Sequence, residues 1–218
     1  MPRKQAVFTN QFPYHVTARV NNREHFPVDL PVAWKLLTNE LYLQHILQGA
    51  RIHAFVAMPN HFHLLLSTDD VPLGDVMRDF MSATTKIFNY EAGRTGHLYG
   101  GHYHWSLIRD PLYYAHALKY VFRNPVKAQL CDRVEDYPAS TVSGLVGRVA
   151  LPLKIHRPPG EIDRLIPQDY DSLLEWLNLP HRKEESSTIQ RALRRKEFKL
   201  PVDPSTRKAE LLSPINAL

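Results

Sequence analysis

Two strand-like runs joined by a single turn pair place the tightest constraint on this chain. Arg51 to Met58 and His61 to Ser67 are short and apolar, and only Pro59 and Asn60 separate them. Such a pair marks a turn, and strands joined this closely pair antiparallel. A β-hairpin is therefore expected near the middle of the chain. Ahead of it, Gln11 to Val20 alternates, with Phe12, Tyr14, Val16, Ala18 and Val20 on one side and His15, Thr17 and Arg19 on the other. That period predicts a half-buried strand.

Helices fill the intervals. Leu30 to Gln48 carries Val32, Leu36, Leu37, Leu43, Ile46 and Leu47 at helical spacing, and Gly49 supplies a stop. Leu73 to Glu91 predicts a second helix, and His104 to Arg109 a fourth strand. Asp110-Pro111 is a helix start, with Asp as cap and Pro in the first turn. That helix should run to Arg123 or Asn124, where Pro125 ends it. The order β-α-β-β-α-β-α is a ferredoxin-like, α+β pattern with one added helix. It predicts an antiparallel sheet with helices on one face and the other face free.

Beyond about residue 147 the character changes. Pro152, Pro158, Pro159, Gly160 and Pro167 punctuate a linker. Short helices are expected over Asp169 to Asn178 and Thr188 to Phe198, the latter carrying Arg191, Arg194, Arg195 and Lys196. The chain thus divides into residues 8–147 and a linker with a basic C-terminal extension, 148–218.

Composition narrows the function classes. Hydrophobic residues make up 44% and charged residues 22% of 218, enough apolar material to exclude wholesale disorder. A single cysteine, Cys131, excludes an intramolecular disulfide framework and any multi-cysteine metal site. No apolar run approaches the ~20 residues of a membrane span, and the basic start lacks the apolar stretch of a secretory signal. A cytoplasmic protein without membrane attachment is the expectation. A net charge of +5 fits a polyanion partner as well as a solvated basic surface.

The residues with chemistry fall in two places. His61 and His63 are two apart on a strand, so both imidazoles point to one face while Phe62, Leu64 and Leu66 point to the other. Adjacent imidazoles can ligate one divalent ion; surface or hydrogen-bonded histidines give the same spacing. On the helix after Asp110, His116, Tyr120 and Asn124 recur every four residues and share a face. A phenol with an amide one turn on offers a nucleophile beside an oxygen that can bind a metal. An amphipathic helix with a tyrosine at the core edge fits equally, and Tyr113 and Tyr114 are tyrosines of the same kind.

The pattern resembles the single-tyrosine HUH transposases, and most closely their REP-associated tyrosine transposase branch. The resemblance rests on Tyr14-His-Val-Thr-Ala-Arg19 with Asn21-Asn-Arg23, Met58-Pro-Asn-His-Phe-His63, Gly96-His-Leu-Tyr99, Tyr120-Val-Phe-Arg-Asn-Pro-Val-Lys-Ala128 and Asp136-Tyr-Pro138. Val20, Gln129, His102 and His104 depart from the family's usual residues.

The resemblance implies an HUH fold in which His61, His63 and Asn124 hold Mg²⁺ or Mn²⁺ and Tyr120 is the nucleophile. The reaction it implies is cleavage and strand transfer on single-stranded or hairpin DNA, through a 5′-phosphotyrosine, by a monomer or homodimer. Acid should suppress it below about pH 6 by protonating the histidines. Arg19, Asn22 and Arg23 are candidates for reading bases beside a hairpin, and Lys86, Arg109, Arg123 and Lys127 for phosphate contact. Tyr99, Tyr103 and Trp105 are candidates for stacking on unpaired bases. A hairpin-binding regulator with little cleavage, and a metal hydrolase of small phosphoesters, are the rival readings.

Overall fold

Alternation in the first strand is what builds the sheet. In the computed structural model, which describes residues 8–145, 150–158 and 161–200, β1 (Tyr14–Arg19) pairs antiparallel with β3 (His61–Ser67) and with β4 (His104–Leu107). β2 (Arg51–Met58) completes the hairpin with β3, and the strand order is β2-β3-β1-β4. This is the ferredoxin-like order that the β-α-β-β-α-β sequence implies.

Each face has its own partners. Tyr14, Val16 and Ala18 stand opposite Leu66, Leu64 and Phe62 in register, on the side covered by α1 (Leu30–Gln48) and α2 (Leu73–Glu91). Phe55 stacks on Trp34 of α1 with centroids 5.5 Å apart, and Phe62 meets Phe80 of α2 edge-on at 5.6 Å. Gly49 ends α1 with a left-handed φ of 67°, a conformation that costs glycine little. The buried side of α1 is Ala33, Trp34, Leu37 and Leu41, whereas Val32, Leu43, Ile46 and Leu47 are exposed. Of the apolar positions whose spacing predicted the helix, Leu37 is buried and Leu36 packs against the core, while the other four face outward; Trp34, outside that set, stacks on the sheet instead.

The second face is not free. α3 (Pro111–Lys127) lies against it, with Tyr114, Ala117 and Val121 fully buried. Asp110 caps α3 by accepting from Tyr113 N at 3.1 Å. The helix runs through Pro125 to Lys127 rather than stopping before it. Pro125 has no N–H for Val121 O, and the Asn124 side-chain nitrogen reaches that carbonyl at 3.5 Å while donating to Tyr120 O at 2.8 Å.

The later elements pack on this layer. After the short α4 (Thr141–Leu145) and α5 (Glu161–Arg164), α6 (Tyr170–Asn178) buries Leu173, Trp176 and Leu177. Lys119 of α3 lies 5.0 Å over the Trp176 ring. The last helix, α7, is Lys183–Ala192, not Thr188 to Phe198. It starts early because Glu185 accepts from Arg182 N at 3.1 Å. It stops early because the following residues join the sheet: Leu107 N donates to Lys196 O at 2.9 Å and Phe198 N to Leu107 O at 2.8 Å. At the opposite edge, Ala57 N donates to Ala139 O at 2.9 Å and His156 N to Ile52 O at 2.7 Å. Among the described residues, no helix is long and apolar enough to cross a membrane.

Candidate nucleophile and metal site

The face of the sheet beneath α3 is lined by histidines. The register places His61 opposite Arg19, His63 opposite Thr17, and His104 opposite Thr17 from the other side. The rings of His61 and His63 meet edge-on with centroids 5.0 Å apart. Tyr120 descends from α3 onto this layer, perpendicular to His63 at 5.8 Å and to His15 at 6.4 Å. The structure therefore brings His61, His63 and Tyr120 together.

Hydrogen bonds engage one polar end of each candidate ligand. The Asn60 amide nitrogen donates to Arg23 O at 3.1 Å, which turns Asn60 Oδ1 toward His61 Nδ1 at 2.6 Å. An amide oxygen only accepts, so His61 carries its proton on Nδ1 and presents a lone pair on Nε2. The Asn124 amide nitrogen is likewise held by the Tyr120 and Val121 carbonyls, which leaves its oxygen as the uncommitted end. His63 Nδ1 is engaged by His15 Nε2 at 3.0 Å.

Burial sets the charge states. It lowers the pKa of His61 to about 4, with the Arg19 charge adding to the effect. It holds His63 well below the ordinary histidine range, with His15, His61 and Arg19 reinforcing it. Both imidazoles are neutral at neutral pH, the state that metal ligation requires. Burial raises the pKa of the Tyr120 phenol, against the opposing pull of Arg194 and Arg19. Among the described residues, no three His, Cys, Asp or Glu side chains converge as a metal site. A metal on His61 and His63 would take its remaining ligands from amide, water or substrate oxygens.

The predicted DNA contacts separate into groups. Arg19 ends β1 on the histidine face, and its charge is felt by both His61 and Tyr120. Lys127 places its ammonium 5.9 Å over the Tyr120 ring and donates to Ser186 Oγ at 3.1 Å. Asn22 and Arg23 form an exposed 3-10 turn with positive φ beyond β1. Three residues lie elsewhere. Lys86 is exposed on α2, in the layer on the other side of the sheet. Arg109 pairs with Glu197 at 3.4 Å and lies 5.1 Å over the Phe12 ring. Arg123 points to the end of α6, where its Nη1 donates to Leu177 O at 3.0 Å and also to Asn178 O.

The aromatic candidates divide similarly. Tyr99 is buried and shares a hydrogen bond with Thr84, and Trp105 is buried beneath Lys196, whose ammonium is 4.5 Å from the ring. Tyr103 remains half-exposed in a groove of about 1250 Å³ between α2 and the loop before β4, whose lining includes none of His61, His63 and Tyr120. Tyr114 is core, edge-on to His53 at 5.9 Å, and Tyr113 packs on Phe198 at 4.8 Å. Sequence reasoning passed over His15 and Asn60 as site residues, and took Arg194 only as part of the basic C-terminal extension, whereas its charge is felt at Tyr120. The signal for His15 was its place on the same side of β1 as Arg19.

No protein-family model matches the chain, and no curated protein matches it. Among solved structures it is similar to the REP-associated tyrosine transposase bound to a REP hairpin, with a TM-score of 0.57 and 19% identity over 74% of this chain and 96% of that one. A chain from Deinococcus radiodurans R1 described as a candidate transposase aligns with a TM-score of 0.39 and 19% identity, over 59% of this chain and 92% of that one; that likeness is too slight to argue from. The first likeness is one of fold: an α+β antiparallel sheet of the kind found in that transposase.

Proposed function

We propose that this chain is a metal-dependent DNA strand transferase that cleaves single-stranded or hairpin DNA through Tyr120. The observation that carries the reading is the convergence of a single helical tyrosine, Tyr120, on two neutral histidines, each engaged at Nδ1 by a hydrogen bond. The REP-hairpin-bound neighbour of the same fold supports the choice of DNA as substrate.

His61, His63 and the Asn124 amide oxygen fit Mg²⁺ or Mn²⁺, a mixed nitrogen and oxygen set without thiolate. When bound, such an ion polarises the scissile phosphate and offsets charge in the in-line transition state. Arg19, Arg194 and Lys127 supply the fixed positive charge that draws a phosphodiester to Tyr120. The phenol oxygen then attacks phosphorus and its proton is lost to solvent. The bond from phosphorus to the 3′ oxygen breaks, that oxygen takes a proton, and the 5′-phosphate stays on Tyr120. Attack by another 3′-hydroxyl reverses the step and joins new ends.

Incubation with single-stranded hairpin DNA and Mg²⁺, followed by a denaturing gel, tests the reading. A covalent adduct lost in Tyr120→Phe is the expected result. Tight hairpin binding without adduct would make the protein a regulator, and phosphoester hydrolysis without adduct a hydrolase.

A further inference from the structure

Three imidazoles, not two, meet beneath Tyr120. His15 stacks on His63 with ring centroids 5.2 Å apart and planes 21° from parallel, and their Nε2 and Nδ1 atoms are 3.0 Å apart. Both rings are buried, and a histidine that ligates a metal does so as the neutral imidazole. Each ring therefore carries one proton, and their shared hydrogen bond admits two arrangements.

In the first, His15 Nε2 donates. His63 must then hold its own proton on Nε2, and neither nitrogen has a lone pair to offer a metal. In the second, His63 Nδ1 donates, its Nε2 lone pair is open, and His15 carries its proton on Nδ1. Among the described residues that Nδ1 is buried without a hydrogen-bond partner. The register partner of His15 across the β1–β4 ladder is Ser106, whose Oγ is also buried and without one. The two atoms do not hydrogen-bond as they stand, but a hydroxyl oxygen is a competent acceptor for Nδ1–H, and a turn of the Ser106 side chain toward His15 would satisfy both in the second arrangement.

We propose that His15 is a positioning residue that sets the tautomer of His63 by accepting its Nδ1–H, with the Ser106 hydroxyl turning to accept the Nδ1–H of His15. The inference rests on the reading of His63 as a metal ligand. His15 does for His63 what Asn60 does for His61. The chain Ser106–His15–His63 crosses the three adjacent strands β4, β1 and β3. Sheet register rather than a loop therefore fixes it, and outer-sphere partners of this kind orient metal-binding histidines generally.

The test begins with metal-free protein labelled with ¹⁵N-histidine at mildly alkaline pH. Two-bond ¹H–¹⁵N correlation spectra report which His63 nitrogen bears the proton, and His63→Asn assigns the signals. Nδ1–H is expected; Nε2–H overturns the proposal, and this measurement needs no variant of His15 to fold. His15→Phe keeps a flat ring but removes the acceptor. It should shift His63 toward Nε2–H and weaken Mn²⁺ binding, followed by electron paramagnetic resonance, about 10–100-fold. His15→Gln returns an accepting oxygen and should recover part of both. If His15→Phe changes neither tautomer nor Mn²⁺ affinity, the assignment is wrong. Ser106→Ala should lower the affinity by a smaller factor, and an unchanged value removes Ser106 from the chain. A protein with His63 as Nδ1–H that takes up no Mn²⁺ supports the tautomer assignment and sinks the metal reading instead.

Discussion

The ring of Tyr120 stands perpendicular to the imidazole of His63, their centroids 5.8 Å apart and their planes at 89°. Helix α3 and strand β3 are distant in sequence, so the contact depends on α3 docking on the histidine face. Removing only the phenol oxygen leaves that packing in place. Tyr120→Phe should abolish covalent adduct on a denaturing gel and change hairpin affinity little. Tyr113→Phe and Tyr114→Phe should keep the adduct, since one packs on Phe198 and the other on His53. An adduct that follows Tyr113 or Tyr114 instead would refute the assignment.

Metal dependence should grade with the ligand. His61→Ala and His63→Ala are expected to remove Mg²⁺-dependent cleavage. Asn124→Ala should weaken it and recover in part at higher metal, because a neutral amide oxygen is the weakest ligand of the set. Full cleavage in excess chelator would contradict this. Acid should interfere later than the ordinary histidine pKa implies. With His61 lowered to about 4, protons compete for the site only near that pH, not from about pH 6. The pH profile of adduct formation in saturating metal checks it.

Fold stability should show the complementary pH dependence. Burial lowers His53 to about 4, with its Nδ1 on His156 O at 2.8 Å and its Nε2 on Ser67 Oγ at 3.0 Å. Unfolded, its pKa returns to about 6.5. Between those values the unfolded state binds the extra proton, so stability is full above about pH 6.5 and falls as pH drops. The loss at His53 is at most on the order of 3 kcal/mol. Urea unfolding of His53→Gln should show a shallower acid decline than the parent protein.

Residues beyond 147 should matter to folding before they matter to DNA. Trp176, Leu177, Ile189 and Leu193 are buried, so truncation after Gly147 exposes the apolar surface they cover. The expected outcome is a less stable, aggregation-prone protein rather than an intact one with reduced affinity. Trp176→Ala should cost about 3–5 kcal/mol, read by thermal or urea denaturation.

Basic residues should separate by position. Arg19→Ala and Lys127→Ala should each flatten the dependence of log K on log salt by about 0.7 for single-stranded DNA. Lys86→Ala should leave it unchanged, because Lys86 belongs to the layer across the sheet. Equal slopes for all three variants would place the DNA elsewhere.

Much of the scaffold was legible because its signals are local. The limits of α1 and α2 follow from Gly49 and from apolar spacing, and the hairpin from Pro59-Asn60. The inner side of α1 was legible only at Leu37: Val32, Leu43 and Ile46 keep helical spacing as well as Trp34 and Leu41 do, and only tertiary docking chooses. His61, His63 and Tyr120 could be picked out by residue type and spacing. The partners of Arg123 could not be read locally, because the carbonyls of Leu177 and Asn178 are some fifty-odd residues away. Arg194 was expected within a helix for the same kind of reason, since nothing local announces that the chain after Ala192 turns to pair with β4.

That pairing has a consequence for assembly. Edge strands invite another chain to continue the sheet. Here the β4 rim is engaged by Lys196 and Phe198, and the β2 rim by Ala139 and His156. A second molecule seeking to extend the ladder would first have to peel away a segment of its host. Self-association by sheet continuation is thereby discouraged at both margins, and any dimer would have to use side chains instead of backbone.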